Sequence, residues 1–279
     1  MVAKVKPAGG AADPPLLADK QFDQPSVFTA DGLLREARRQ KQLPASRVPA
    51  VCVLDPDGDM VRQLSASGRA RLDPDWACYH TQLYRLHEGG IEFGLVGCAV
   101  GAPFAVLVAE QLFAAGCRLL ISITSAGQLV AMGQPPYFIL IDKALRDEGT
   151  SYHYAPPARF SHAALGLLEA LDGAFAAMAV PVHRGGTWTT DAPFRETAAA
   201  IEARKAEGLL AVEMEAAALY ALAAATGHRI VCLAFVTNQM AQVASDFEKG
   251  EADGSVAALA VIRAIAGRLS PGDGDAGRH

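Results

Sequence analysis

The 279-residue sequence contains no CxxC pair, no HExxH or HxH pattern, no GxSxG turn and no phosphate-binding P-loop. Without CxxC there is neither a zinc knuckle nor a dithiol redox motif. The five cysteines, Cys52, Cys78, Cys98, Cys117 and Cys232, are widely spaced and mostly in apolar runs, and read as reduced core thiols. The seven histidines are scattered, which argues against a metal site. The absent GxSxG excludes the nucleophile elbow of an α/β-hydrolase, and the glycine-spaced run 94–101 is not a dinucleotide fingerprint. There is no basic excess either: 25 Lys+Arg against 30 Asp+Glu leave a net charge of −5, the wrong sign for a nucleic-acid partner. No run approaches the ~20 apolar residues of a membrane helix. The opening MVAKVKPAGGAADPP has charge and proline where a signal peptide needs an apolar stretch. The expectation is a cytoplasmic protein with neither nucleic acid nor membrane as partner.

What is present is enough apolar material for a large core: 51% hydrophobic and 20% charged residues. Residues 1–26, rich in Ala, Pro, Gly and Asp, read as a flexible N-terminal arm, and 271–279 as a disordered tail. Between them, 27–270 reads as one α/β domain with no linker long enough to divide it. A basic amphipathic helix is expected over 31–42, capped by Asp31. Strands are predicted at 49–54, 91–97, 117–124, 137–142, 182–187, 209–212 and 229–236. Helices are predicted at 104–115, 162–178, 193–207, 215–226 and 254–269. The strand, glycine turn, helix and strand from 91 to 124 form a crossover with parallel pairing.

Ligands in such sheets bind beyond the carboxyl ends of strands. Four segments qualify. Val100-Gly-Ala-Pro103 precedes a helix and offers backbone N–H groups to an anion. Thr124-Ser-Ala-Gly127 brings hydroxyls and a glycine to the end of an apolar strand, serving either a ligand or a cap. Asp147 to Tyr154 is a dense set of hydrogen-bonding side chains after a strand, the composition of a binding loop. In Ala211-Val-Glu-Met-Glu-Ala-Ala-Ala218, Glu213 and Glu215 flank Met214 in an apolar setting, where carboxylates are costly unless bonded. They are either paired structurally or awaiting a ligand's hydroxyls.

The last of these segments, Val212-Glu-Met-Glu-Ala-Ala217, resembles the signature of the nucleoside phosphorylase-I superfamily, which includes uridine phosphorylase, bacterial purine nucleoside phosphorylases and methylthioadenosine nucleosidase. Val100–Pro103, Ser125-Ala-Gly127, Thr189–Arg195 and Phe235-Val-Thr-Asn238 match it in order along the chain. The resemblance implies a three-layer α/β/α sandwich around a mixed central sheet, assembled as a homo-oligomer of dimers or trimers of dimers. It implies a pentosyltransferase that cleaves the N-glycosidic bond of a small-molecule nucleoside, uridine or purine, without a cofactor and with inorganic phosphate as co-substrate. By the same match Glu215 would hold the ribose 2′- and 3′-hydroxyls and stabilise an oxocarbenium-like sugar. Met214 would pack under the sugar and Glu213 lie near the base. Ser125 would reach ribose and phosphate, Gly127 would lie beneath the base, and Trp188 and Phe194 are candidates for stacking on it. Arg195 is the nearest substitute for a residue reading a pyrimidine.

Several positions depart from that pattern. The phosphate turn Gly-Asp-Pro-x-Arg reads Leu54-Asp-Pro-Asp-Gly58 here, and a second phosphate arginine is replaced by Ser122. A third, from a neighbouring subunit, should fall near Tyr79 or His80; only Arg69, Arg71 and Arg85 flank that region. A desolvated dianion needs charged donors, arginine above all, whereas Asp55, Asp57 and Asp59 stand at this turn. Arg146, Arg184 and Arg195 are the candidates to compensate. Thr237-Asn238 replaces the Ser-Asp pair that protonates a departing purine, and Asn238 donates a hydrogen bond without delivering a proton. Because most members of the superfamily use phosphate, phosphorolysis is still the first expectation, although the missing arginines fit hydrolysis better. The alternatives are a nucleosidase using water, with a base from the Asp55–Asp59 turn, and a catalytically silent nucleoside-binding protein.

Overall fold

The computed structural model describes residues 14–238 and 249–269. Its strands are β1 (Val51–Asp55), β2 (Ala70–Leu72), β3 (Tyr84–Glu88), β4 (Ile91–Gly97), β5 (Leu119–Gln128), β6 (Tyr137–Asp147), β7 (Phe160–His162), β8 (Val182–Thr190), β9 (Ala211–Glu213) and β10 (Ile230–Asn238). The helices are α1 (Ala30–Lys41), α2 (Asp59–Ala66), α3 (Ala102–Ala114), α4 (Leu165–Ala170), α5 (Ala198–Ala206), α6 (Ala216–Thr226) and α7 (Ser255–Leu269).

All strands join one mixed sheet. β1 lies parallel to both β4 and β5, and β5 parallel to β10. β10 runs antiparallel to β6, β6 parallel to β8, β8 parallel to β9, and β9 antiparallel to the end of β5. The ladder β5-β10-β6-β8-β9 thus returns to β5, while β1-β4-β3-β2 extends as an open flank.

Strand alternation sorts the core into two layers. Cys52, Leu54 and Leu120 face a cluster with Leu34, Leu112 and Leu222, under α1, α3 and α6. Val51, Val53, Leu119 and Ile121 face a second cluster with Met60, Leu168 and Ile262, under α2, α4 and α7. Helices on both faces of a mixed sheet are the sandwich that the resemblance implies.

Several expected elements change their bounds or nature. α1 is capped by Thr29, whose hydroxyl accepts from Gly32 N, and not by Asp31. Of the helix expected over 162–178, His162 ends β7 and only the short α4 is helical; Gly173, at φ 72°, disfavours its continuation. The helix expected over 193–207 begins as a 3-10 turn at Pro193–Arg195 and becomes α5 only after Thr197 caps it. β2 and β3 are short and charge-bearing, so no apolar alternation announced them. β5, β6, β8 and β10 run past the predicted ends because polar residues continue the ladders. Residues 14–26 form turns against the body, with Lys20 Nζ 3.0 Å from His153 Nδ1. Residues 1–13 of the expected arm and 271–279 of the expected tail lie outside the described residues. Four cysteines are buried and Cys98 is exposed.

Candidate functional site

The carboxyl ends of β1, β4, β5, β9 and β10 converge on one rim. Register places Ser125 beside Phe235 and Gly127 beside both Asn238 and Val212, and Gly101 N bonds Glu215, so three of the four sequence segments meet there.

Glu215 is 1% exposed and ends the loop into α6. Its Oε1 accepts from Gly101 N at 2.7 Å, and its Oε2 from Thr124 Oγ1 at 2.7 Å and Met214 N at 3.3 Å. Gly101 is the N-terminal cap of α3, with φ 90°, and Pro103 fills the first turn, where no N–H is missed. The anion position at that helix N-terminus is therefore taken by a carboxylate of the chain itself. Burial, and next the charge of Glu213, push the Glu215 carboxyl up to about 7.

Glu213 is bonded on all sides. Its Oε1 accepts from Thr187 Oγ1 (3.1 Å) and Thr189 Oγ1 (2.5 Å), and its Oε2 from Glu215 N and Ala216 N, both at 2.7 Å. Thr189 Oγ1 in turn accepts from Ala217 N at 3.0 Å. Glu213 thereby satisfies the free N–H groups at the start of α6 and ties that helix to β8. Its contacts make it a support for the Glu215 backbone and leave no oxygen for a base. Burial raises its carboxyl too.

Met214 is half-buried beside Glu215. Asn238 is 8% exposed, its Nδ2 donating to Thr237 Oγ1 at 3.3 Å. Ser125 donates to Asp57 Oδ2 in the turn after β1. In that turn Asp59 pairs with Arg62 and with Lys249, whose Nζ also stands 3.5 Å from Asp57. Lys249 bridges the two aspartates of this corner and was not singled out in the sequence, since it lies far along the chain. Asp55 is 6% exposed; burial, then the charges of Asp57 and Asp59, raise its carboxyl to about 6 against the opposing bond from Val61 N.

Other expected site residues stand elsewhere. Trp188 is 3% exposed, packed with Leu145, Leu209 and Val212, and its Nε1 donates to Asp147 Oδ2 at 2.9 Å; it belongs to the core and has no face for a base. The alternation of β8 explains this: Thr187 and Thr189 face Glu213, which turns Trp188 to the opposite side. Arg146 cannot serve an anion, because Nε donates to Ser151 Oγ and the two terminal nitrogens to the carbonyls of Pro156 and Ala155. It closes its own loop and stacks 4.3 Å from the Tyr152 ring. Arg184 lies 3.6 Å from Asp142. Phe194 is 98% exposed on the 3-10 turn with Arg195, outside the rim cluster. Loop 147–154 is largely bonded within itself and to its neighbours: Gly149 N donates to Asp191, Ser151 N to Glu148, and Tyr154 OH to Glu110. It borders a cavity of about 540 Å³ with Leu33, Pro103 and Leu107; neither Glu215 nor Ser125 lines that space.

Comparison with known proteins gives the family. A family model described as the phosphorylase superfamily matches residues 27–266. A uridine phosphorylase of Thermococcus kodakarensis is 28% identical over 205 residues, covering 66% of this chain and 72% of that protein. A DeoD-type purine nucleoside phosphorylase of a Jannaschia species is 34% identical over 148 residues, covering 50% and 60%. A guanosine phosphorylase of Halorubrum lacusprofundi is 27% identical over 140 residues, covering 50% and 58%. The chain thus spans about three fifths of the length of the last two. The crystal structure of uridine phosphorylase from Vibrio fischeri superposes with a TM-score of 0.65 at 21% identity, over 81% of this chain and 91% of that one, a likeness of fold. Since the family match runs from α1 to α7 and includes every strand of the rim, the chain belongs to the phosphorylase superfamily.

Proposed function

We propose that the protein cleaves the N-glycosidic bond of a nucleoside. The observation that carries this reading is Glu215, a buried carboxylate held by Gly101 N and Thr124 Oγ1 at the carboxyl ends of the strands, with Met214 beside it. Departure of the base leaves positive charge on the sugar, and a pre-oriented carboxylate bonded to its hydroxyls stabilises that charge without reorganising. Asn238 ends β10 beside Gly127, and by the resemblance it would donate a hydrogen bond to the departing base. That suits a base leaving as a stabilised anion better than one that must be protonated, and so leans toward a pyrimidine. The relatives' names, uridine, purine nucleoside and guanosine phosphorylase, supply the substrate class to test and name phosphate as the usual acceptor.

The test is release of free base from uridine, inosine and guanosine, followed by chromatography. Release is expected from at least one, and Glu215→Gln should lower kcat/KM about 100- to 1000-fold while the circular dichroism spectrum is unchanged. Near-normal turnover in that variant removes Glu215 from its role. A protein that binds a nucleoside in calorimetry yet releases no base would be a silent binder.

A further inference from the structure

The cavity of about 540 Å³ lies between α1, α3, the loop 147–154 and the turns of residues 14–26. Hollows of about 300–1,000 Å³ are the size that buries a small-molecule ligand. Neither Glu215 nor Ser125 lines this one, so what it takes is independent of the glycosidic reading.

Two faces of α3 are put to use. Ala102, Ala105, Ala109 and Leu112 are buried in the core, while Pro103, Val106, Leu107, Glu110 and Gln111 line the cavity at helical spacing. Leu33 of α1, with Leu16 and Phe28 before it, completes the apolar part of the wall. Phe28 is 73% exposed and Leu107 39%, so large apolar side chains gather at solvent around one hollow instead of scattering singly.

The charged and buried polar groups of this wall are acceptors. Glu110, half-buried, accepts from Tyr154 OH at 3.0 Å, and exposed Asp191 accepts from Gly149 N at 2.8 Å. Both carboxylates are thus met by uncharged donors and keep lone pairs for more. Burial, then the charge of Glu110, push the Tyr154 hydroxyl up, so it stays a donor. Gln111 is 1% exposed; its Nε2 donates to Leu107 O at 3.1 Å and its Oε1 has no partner, which is costly for a buried amide. Among the described residues no lysine or arginine lines the cavity. Lys20, the cation of the 14–26 turns, has its Nζ 3.0 Å from His153 Nδ1 and pairs with neither carboxylate.

We infer that this cavity is a binding site for an organic amine, its protonated nitrogen at Glu110 and its apolar body against Leu33, Val106 and Leu107. An ammonium brings donors alone to a wall that offers acceptors. The ring of Phe28 adds an apolar face over which a cation is also attracted. Asp191 is exposed and its pull is screened, so Glu110 carries the recognition. A carboxylate or phosphate ligand would instead meet two charges of its own sign with no lysine or arginine on the wall to offset them.

The experiment is calorimetry at neutral pH with three probes of similar shape: phenethylamine, 2-phenylethanol and phenylacetate. Phenethylamine should bind with a Kd below about 1 mM, the alcohol about 10-fold more weakly, and phenylacetate not measurably. Glu110→Gln keeps an acceptor for Tyr154 and should weaken phenethylamine about 10-fold, level with the alcohol. Leu107→Trp, at a part-exposed position that tolerates a larger side chain, should fill the cavity and abolish binding of both. Equal binding of amine and alcohol by the parent, or undiminished amine binding by folded Glu110→Gln, overturns the amine recognition. Binding that survives Leu107→Trp lies elsewhere and overturns the site, and so does a parent that binds no phenethylamine. None of these outcomes involves release of base, so the glycosidic reading stands or falls separately.

Discussion

Two acidic corners of the same rim are stabilised by opposite means. On the α3/α6 side, Glu213 and Glu215 are bonded by hydroxyls and backbone N–H groups that the fold fixes in place, with no lysine or arginine among their partners. On the α2/α7 side, Asp57 and Asp59 are half-exposed and met by two long cationic side chains, Lys249 and Arg62. Fixed dipoles hold a carboxylate in one orientation and leave its charge available to a ligand. Flexible cations cancel charge and hold orientation loosely. The first arrangement suits a group that must meet a sugar in one geometry, the second a corner that must tolerate several carboxylates at once.

The sharpest way to break this contrast is Glu213→Ala. It strands two threonine hydroxyls and the N–H groups of Glu215 and Ala216, and should cost about 3–5 kcal/mol of unfolding free energy in urea. Glu213→Gln keeps the shape and should cost less. It also removes the negative neighbour that helps raise Glu215, so the Glu215 carboxyl ionises more easily. In the parent, kcat/KM should rise as pH passes through about 7, where Glu215 becomes charged; in Glu213→Gln that limb should move to lower pH. A limb that stays in place would mean that Glu213 supports Glu215 by geometry alone.

On the other corner, Gly58→Ala should destabilise by about 1–3 kcal/mol, from a left-handed backbone and the approach of its Cβ to Cys98. A neutral result by thermal unfolding would show that this turn has room to yield. The smallest effect belongs to Lys249→Met. Its side chain is 27% exposed and its partners are part-exposed, so the loss should stay below about 1 kcal/mol and shrink further in high salt. A larger, salt-independent loss would place Lys249 with the fixed groups and erase the distinction.

Residues with a local signature were readable before any coordinates. The Gly-Ala-Pro start of α3, the buried run of β1 and the Glu-Met-Glu signature all announced themselves by pattern, and the family match confirms the superfamily to which that signature pointed. Contacts across long sequence separations were not. The bond from Gly101 N to Glu215 spans 114 positions and that from Ser125 to Asp57 spans 68, and nothing in either segment names its partner. Trp188 shows a different shortfall. Counting alternate positions from Thr187 along β8 would have turned it toward the core, but its aromatic character weighed more than its parity. Arg146 is similar: a buried arginine attracts an anion hypothesis, yet three nearby loop oxygens meet its donors.

The return of the ladder to β5 bears on how copies of this chain can meet. A strand with a free side is a template for a neighbour's backbone, and most of these strands have none to offer. Among the described residues, the sheet presents unpaired backbone mainly along β2 and β7, each three residues long. Segments that short give little purchase for strand addition. An association built by adding strands would therefore have only these two short edges to use.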